Sequence, residues 1–230
     1  MTDLVLLPGL DGTAAMHAEF LAACTACGST DAIAYPRDTL LDYAELEQLV
    51  RSRLPLDRPF ALLGESFSGP IALSIAAHPP PNLKGLILCA SFAGSPLPHL
   101  ASLSAALRFV PVHQAPGWLM RWWLLGQWAT PQLEQALHRT LRSVSADVLR
   151  FRACIALKLE TKAHWSGVEV PALYLRASND RLMPSAAADL VTGLIPQCRV
   201  TDIPGPHLLL QANPLQAAQA VNTFITEISR

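Results

Sequence analysis

The chain has 230 residues, of which 51% are hydrophobic and 15% charged, with a formal net charge of −1. That apolar content can fill one large core and cover both faces of a parallel sheet, so one domain with at most an insertion is expected, and disordered, repeat and coiled-coil architectures are excluded. The start, Met1-Thr2-Asp3, lacks a basic region and leads into an apolar run of only a few residues, so neither a signal peptide nor a membrane span is expected, and a cytoplasmic location is.

Six short apolar runs read as strands, at 3–7, 32–35, 60–64, 85–90, 172–176 and 199–203. Helical patterns separate the first four and again the last two, which is the signature of βαβ units and a parallel sheet. The loop after the first run, Leu7-Pro8-Gly9-Leu10-Asp11-Gly12-Thr13, is rich in glycine. It lacks the Gly-x-Gly-x-x-Gly spacing of a dinucleotide site. Cys24, Cys27, Cys89, Cys154 and Cys198 are scattered through apolar segments, with no second pair or histidine at ligand spacing, and read as small buried thiols rather than a metal site. Asp42 caps a helix containing Leu46, Leu49 and Val50.

The third run leads into Gly64-Glu65-Ser66-Phe67-Ser68-Gly69-Pro70 and a helical stretch. A serine lifted onto a strand-to-helix turn is a nucleophile elbow, with small residues where backbones cross closely. The competing reading is a plain Gly/Ser turn.

Between 91 and 171 no convincing strand occurs. A proline-rich opening gives way to helices starting at Thr130-Pro131 and at Ser145. Residues 94–167 are therefore expected to form a helical cap inserted in a core made of 1–93 and 168–230. All five tryptophans lie in this cap, and Trp118, Trp122 and Trp123 sit in a large apolar run suited to a fatty or aromatic acyl group. Packing of the cap onto the sheet is the alternative. The cap holds eight Lys/Arg against three Asp/Glu, so a near-neutral total conceals a basic segment. Such a segment would steer an anionic substrate or an acidic acyl carrier protein toward the site. Solvated helix faces are the alternative there.

A serine hydroxyl needs a base and an orienting acid. The fifth run ends in Ser178-Asn179-Asp180, and the sixth in Pro204-Gly205-Pro206-His207, both at C-terminal strand ends where open α/β sheets carry their sites. No Asp or Glu occurs between Glu65 and Glu134, which leaves Asp180 unopposed. Asp180 as a helix cap and His207 as an idle loop residue are the alternatives. Oxyanion donors are expected from the N–H groups of Leu10 and Phe67. Pro184 begins one helix, and Asn213 caps another that starts at Pro214.

These pieces together resemble the α/β-hydrolase superfamily from end to end, on 7–13, 64–69, Asp180 with Pro184, and His207 with Pro214. The chain is similar to small bacterial carboxylesterases, including those acting on methyl esters of carrier-bound acids. Its first loop is also similar to the hydrolase-like part of plant phytyl ester synthases. The resemblance implies Ser66 as nucleophile, His207 as base, Asp180 as orienter, Leu10 and Phe67 as oxyanion donors, and no cofactor or metal. It departs from the family at Ser68, where glycine is usual, and at Ala212, where many relatives carry glutamate. Two leading strands of the usual eight are absent, so a sheet trimmed to about six strands is expected. The expected activity is hydrolysis of a small hydrophobic ester through an acyl-enzyme. An acyltransferase or thioesterase on the same residues is the nearest rival, and a non-catalytic binding protein the rival of another class. No nucleic-acid partner is expected.

Overall fold

A computed structural model describes residues 1–230, with the side chains at 100, 103, 105 and 108 outside the description. Six strands, β1 (Asp3–Leu7), β2 (Thr30–Ala32), β3 (Phe60–Glu65), β4 (Leu83–Cys89), β5 (Ala172–Ala177) and β6 (Cys198–Ile203), form one sheet in the order β2-β1-β3-β4-β5-β6. Every neighbouring pair is parallel. The second strand differs from its expected position at 32–35: its ladder runs earlier, from Thr30 opposite Leu4 to Ala32 opposite Leu6. It is an edge strand and carries little apolar patterning, while Ile33 and Tyr35 bury their side chains beyond its end.

β1, β3 and most of β4 are buried on both sides, as strands covered by helices on two faces must be. Alternate side chains enter different cores. Val5, Leu7, Leu62, Leu86 and Tyr174 share one with α2 (Tyr43–Arg51), α3 (Gly69–Ala77) and α7 (Ser185–Leu194). Leu4, Leu6, Leu63, Ile87 and Leu173 share the other with α1 (Ala18–Ala23) and α9 (Pro214–Ile228). The α9 contribution, Ala217, Ala218, Val221, Phe224 and Ile225, follows the three-four spacing of one helical stripe.

Between β4 and β5 the chain is helical: 3₁₀ turns over Pro98–Phe109, α4 (Gly117–Met120), a π-helical turn at Arg121–Leu125, α5 (Pro131–Arg142) and α6 (Ala146–Leu157). Thr130 and Ser145 cap α5 and α6 with their hydroxyls, and Asp42 forms a reciprocal capping box with Glu45 on α2. Asn213 does not cap α9 through its side chain. Its amide instead donates to Pro204 O at 2.8 Å, bracing the loop that carries His207. A four-residue helix, α8 (Leu209–Ala212), completes that crossing.

Candidate active site

Ser66 sits at the end of β3 with φ +48°, the left-handed region that a β-carbon disfavours. Such a position costs on the order of 1–3 kcal/mol and persists only when the surroundings hold it. Here the Ser91 hydroxyl, beyond β4, donates to Ser66 O at 2.6 Å. The turn can be this tight because Gly64 and Gly69 lack side chains. A β-carbon on Gly64 would lie 2.8 Å from that of Ala72, and one on Gly69 would overlap the Ser91 hydroxyl. The 3₁₀ turn Ser66–Ser68 then enters α3, whose positive N-terminal end lies beside the serine.

Ser68 has a structural reason to replace glycine. Its hydroxyl donates to Pro8 O and lies 2.6 Å from Tyr35 Oη. With its own proton committed to Pro8, Ser68 accepts from the tyrosine. The pair thus ties the elbow to the loop after β1 inside a fully buried setting, and burial pushes the Tyr35 phenol well above its ordinary value.

The loops after β3, β5 and β6 bring three expected side chains together. Ser66 Oγ lies 2.9 Å from His207 Nε2, and His207 Nδ1 lies 2.8 Å from Asp180 Oδ2. The second oxygen of Asp180 accepts N–H bonds from Leu182 and Met183, both at 2.8 Å. Asp180 therefore braces the turn before α7 as well as holding the imidazole. Both side chains of this contact are shielded, with exposures of 4% for His207 and 6% for Asp180. Fixed Nδ1–H donation to the carboxylate leaves Nε2 free to take a proton from the hydroxyl it faces.

Phe67 follows the serine with its ring stacked on Tyr43 at 4.9 Å. Leu10 lies in the turn Gly9–Gly12, closed by Gly12 N donating to Gly9 O at 3.0 Å. Trp118, Trp122 and Trp123, expected to line the acyl pocket, are 70%, 51% and 40% exposed. Of the three, Trp122 is tied to Arg181, the residue after Asp180: its ring lies under the guanidinium at 4.8 Å, and its carbonyl accepts from the same arginine at 2.9 Å. Trp165, by contrast, is buried against the sheet.

Three buried charged residues escaped the sequence reading. Glu65, adjoining the serine, pairs with His17 at 2.8 Å, and Gln211 joins them. Arg152 of α6, 1% exposed, donates to the carbonyls of Leu10 (3.0 Å), Asp11 (2.8 Å) and Pro36 (2.8 Å). A charge closing the all-buried run Phe60–Glu65 was the available signal, because such a charge requires a partner. Nothing in local spacing identifies that partner, which lies 48 residues away. Among the described residues no cluster of three or more His, Cys, Asp or Glu is arranged to hold a metal ion.

A family model described as serine aminopeptidase, S33, matches residues 28–207. Among solved structures, a hydrolase from Pseudomonas aeruginosa PA01 is 21% identical with a TM-score of 0.79, covering 97% of this chain and 89% of that one. A thermophilic esterase from Thermogutta terrifontis is 18% identical with a TM-score of 0.81, over 99% and 90% of the two chains. An enol-lactonase from Burkholderia xenovorans LB400 is 14% identical with a TM-score of 0.81, again over 99% and 90%. No curated protein matches the chain in sequence.

Proposed function

Because this chain belongs to the serine aminopeptidase S33 family and has the α/β-hydrolase fold, we propose that it hydrolyses carboxylic esters through an acyl-enzyme on Ser66. The observation that carries the reading is the unbroken hydrogen-bonded line from Ser66 Oγ through His207 to Asp180. His207 Nε2 takes the hydroxyl proton as Oγ attacks the ester carbonyl. Asp180 holds the opposite ring nitrogen and stabilises the imidazolium that forms. The carbonyl electrons move onto oxygen, where the N–H groups of Leu10 and Phe67 receive the charge. Collapse expels the alkoxide, which leaves with the proton from Nε2, and water repeats the sequence to release the acid and restore Ser66.

Residues 94–167 act as the cap that selects the acyl group. Its basic surplus supports an acidic acyl carrier protein as a donor only in part. Arg121 and Arg150 are paired with Glu134 and Asp147, and Arg152 is buried. The remaining surplus rests on the exposed Arg139, Arg142, Lys158 and Lys162, while the Arg108 side chain lies outside the described residues.

A fluorophosphonate probe should label the wild type and not Ser66→Ala, and a chain-length series of p-nitrophenyl esters should be turned over by the wild type alone. Absence of labelling would favour a binding protein. Preferential transfer of the acyl group to an added alcohol or amine would favour an acyltransferase. The carrier-protein element is tested by salt: carrier-linked esters should lose more rate than free esters as ionic strength rises.

A further inference from the structure

Glu65 is 2% exposed and stands directly before Ser66. Its Oε2 accepts from Gly9 N at 3.1 Å and from His17 Nε2 at 2.8 Å, and its Oε1 accepts from Gln211 Nε2 at 2.9 Å. A carboxylate can only accept, so each nitrogen facing it must donate. The three donors come from the loop after β1, from the residue preceding α1, and from α8, four residues past His207. One buried group therefore joins the segments that carry Leu10, Ser66 and His207.

The Gly9 N–H is fixed by Glu65, while the Gly9 carbonyl is fixed by Gly12 N at 3.0 Å. The peptide joining Gly9 to Leu10 is trans, so its N–H points opposite to a carbonyl already held. That Leu10 N–H donates to no acceptor among the described residues. An unpaired carboxylate beside the nucleophile would oppose a developing oxyanion. A protonated His17 places the opposite charge 2.8 Å from that carboxylate and offsets its field. Burial works to lower the His17 value and to raise the Glu65 value. Their mutual attraction outweighs it, holding the imidazole above and the carboxyl below the ordinary range.

We infer that Glu65 is a positioning residue, whose carboxylate, held by His17 and Gln211, fixes the Gly9 peptide so that the Leu10 N–H is aimed at the oxyanion. The inference rests on the ester-hydrolase reading above. Glu65→Met removes every acceptor. It should lower kcat and kcat/KM equally, by about 10- to 100-fold, short of the full loss of one oxyanion donor. KM should stay near the wild-type value, and affinity for a boronic acid that forms the tetrahedral adduct should fall by the same factor as kcat. Glu65→Gln should recover most of the loss, since one amide oxygen still accepts from Gly9 once the Gln211 amide turns over. The proposal is overturned if Glu65→Met folds and keeps wild-type kcat and boronate affinity, or if its loss lies in KM alone. Should that variant not fold, amide exchange and nitrogen-15 shifts of the wild type decide. A protected Gly9 amide, with Leu10 the amide most shifted by boronate, supports the inference, and a freely exchanging Gly9 amide overturns it. A wild type that neither hydrolyses esters nor binds the probe refutes the esterase reading instead, and the Gly9 measurement still tests the brace.

Discussion

Replacing Arg152 by methionine removes a guanidinium and keeps a side chain of similar reach. Arg152 is 1% exposed and donates to three carbonyls, two of them in the Leu10-Asp11 turn, while its cationic face lies 5.5 Å from the Tyr35 ring centre. Three hydrogen bonds from a charged donor are each worth about 1.5–3 kcal/mol, or roughly 4.5–9 kcal/mol together. Against this stands the cost of burying a guanidinium with no carboxylate in contact, several kcal/mol, which the variant no longer bears. The net destabilisation expected is about 2–4 kcal/mol. For a chain of this size, that is a fall in Tm on the order of 5–15 °C. Urea unfolding should show the loss as a lower midpoint with an unchanged m-value. Because the carbonyls released belong to the loop carrying Leu10, kcat toward p-nitrophenyl esters should fall as well. Arg152→Lys should recover less than half of either loss, since an ammonium cannot fork across three acceptors. A methionine variant within about 0.5 kcal/mol of wild type would refute the claim that this α6 residue holds the loop.

The His17–Glu65 pair makes stability depend on pH in a defined window. The His17 value is raised, so its contribution is full below 6.5 and fades as pH climbs through the raised value; the Glu65 value is lowered, so its contribution is full above 4.5 and fades as pH drops through the lowered value. The Tm gap between wild type and the His17→Gln/Glu65→Gln double variant should therefore be widest between these limits and narrow on both sides, which a thermal series across pH will check. Ser68→Gly strands the Tyr35 hydroxyl and Pro8 carbonyl and should cost about 1–3 kcal/mol. Combined with Tyr35→Phe, its effect should be less than additive in denaturant titrations, because both changes remove one shared contact. Gly69→Ala drives a methyl into the Ser91 hydroxyl, so soluble yield and ester turnover should both collapse, with partial recovery in Gly69→Ala/Ser91→Ala.

The parallel sheet and the order of its elements were legible because strand and helix periods are local properties. The runs at 60–64 and 172–176 lie within β3 and β5, and Thr130 and Ser145 cap the helices their sequence proposes. Where the second strand falls was not legible, since an edge strand pairs on one side and needs little apolar patterning. Asn213 shows the same limit. Its amide chooses between a helix end and a neighbouring carbonyl, and the tertiary contact with Pro204 wins.

Residue type and order along the chain were enough to nominate Ser66, Asp180 and His207, because nucleophile, acid and base chemistry restrict the side chains that can serve. Only the folded arrangement decided the distances among them, left Trp118, Trp122 and Trp123 exposed, drew His17 and Gln211 around the Glu65 carboxylate, and set Arg152 against the Leu10 and Asp11 carbonyls. A buried charge must be met by donors from wherever the chain crosses. Those crossings are set by the packing of the whole sheet, and no local window of sequence contains them.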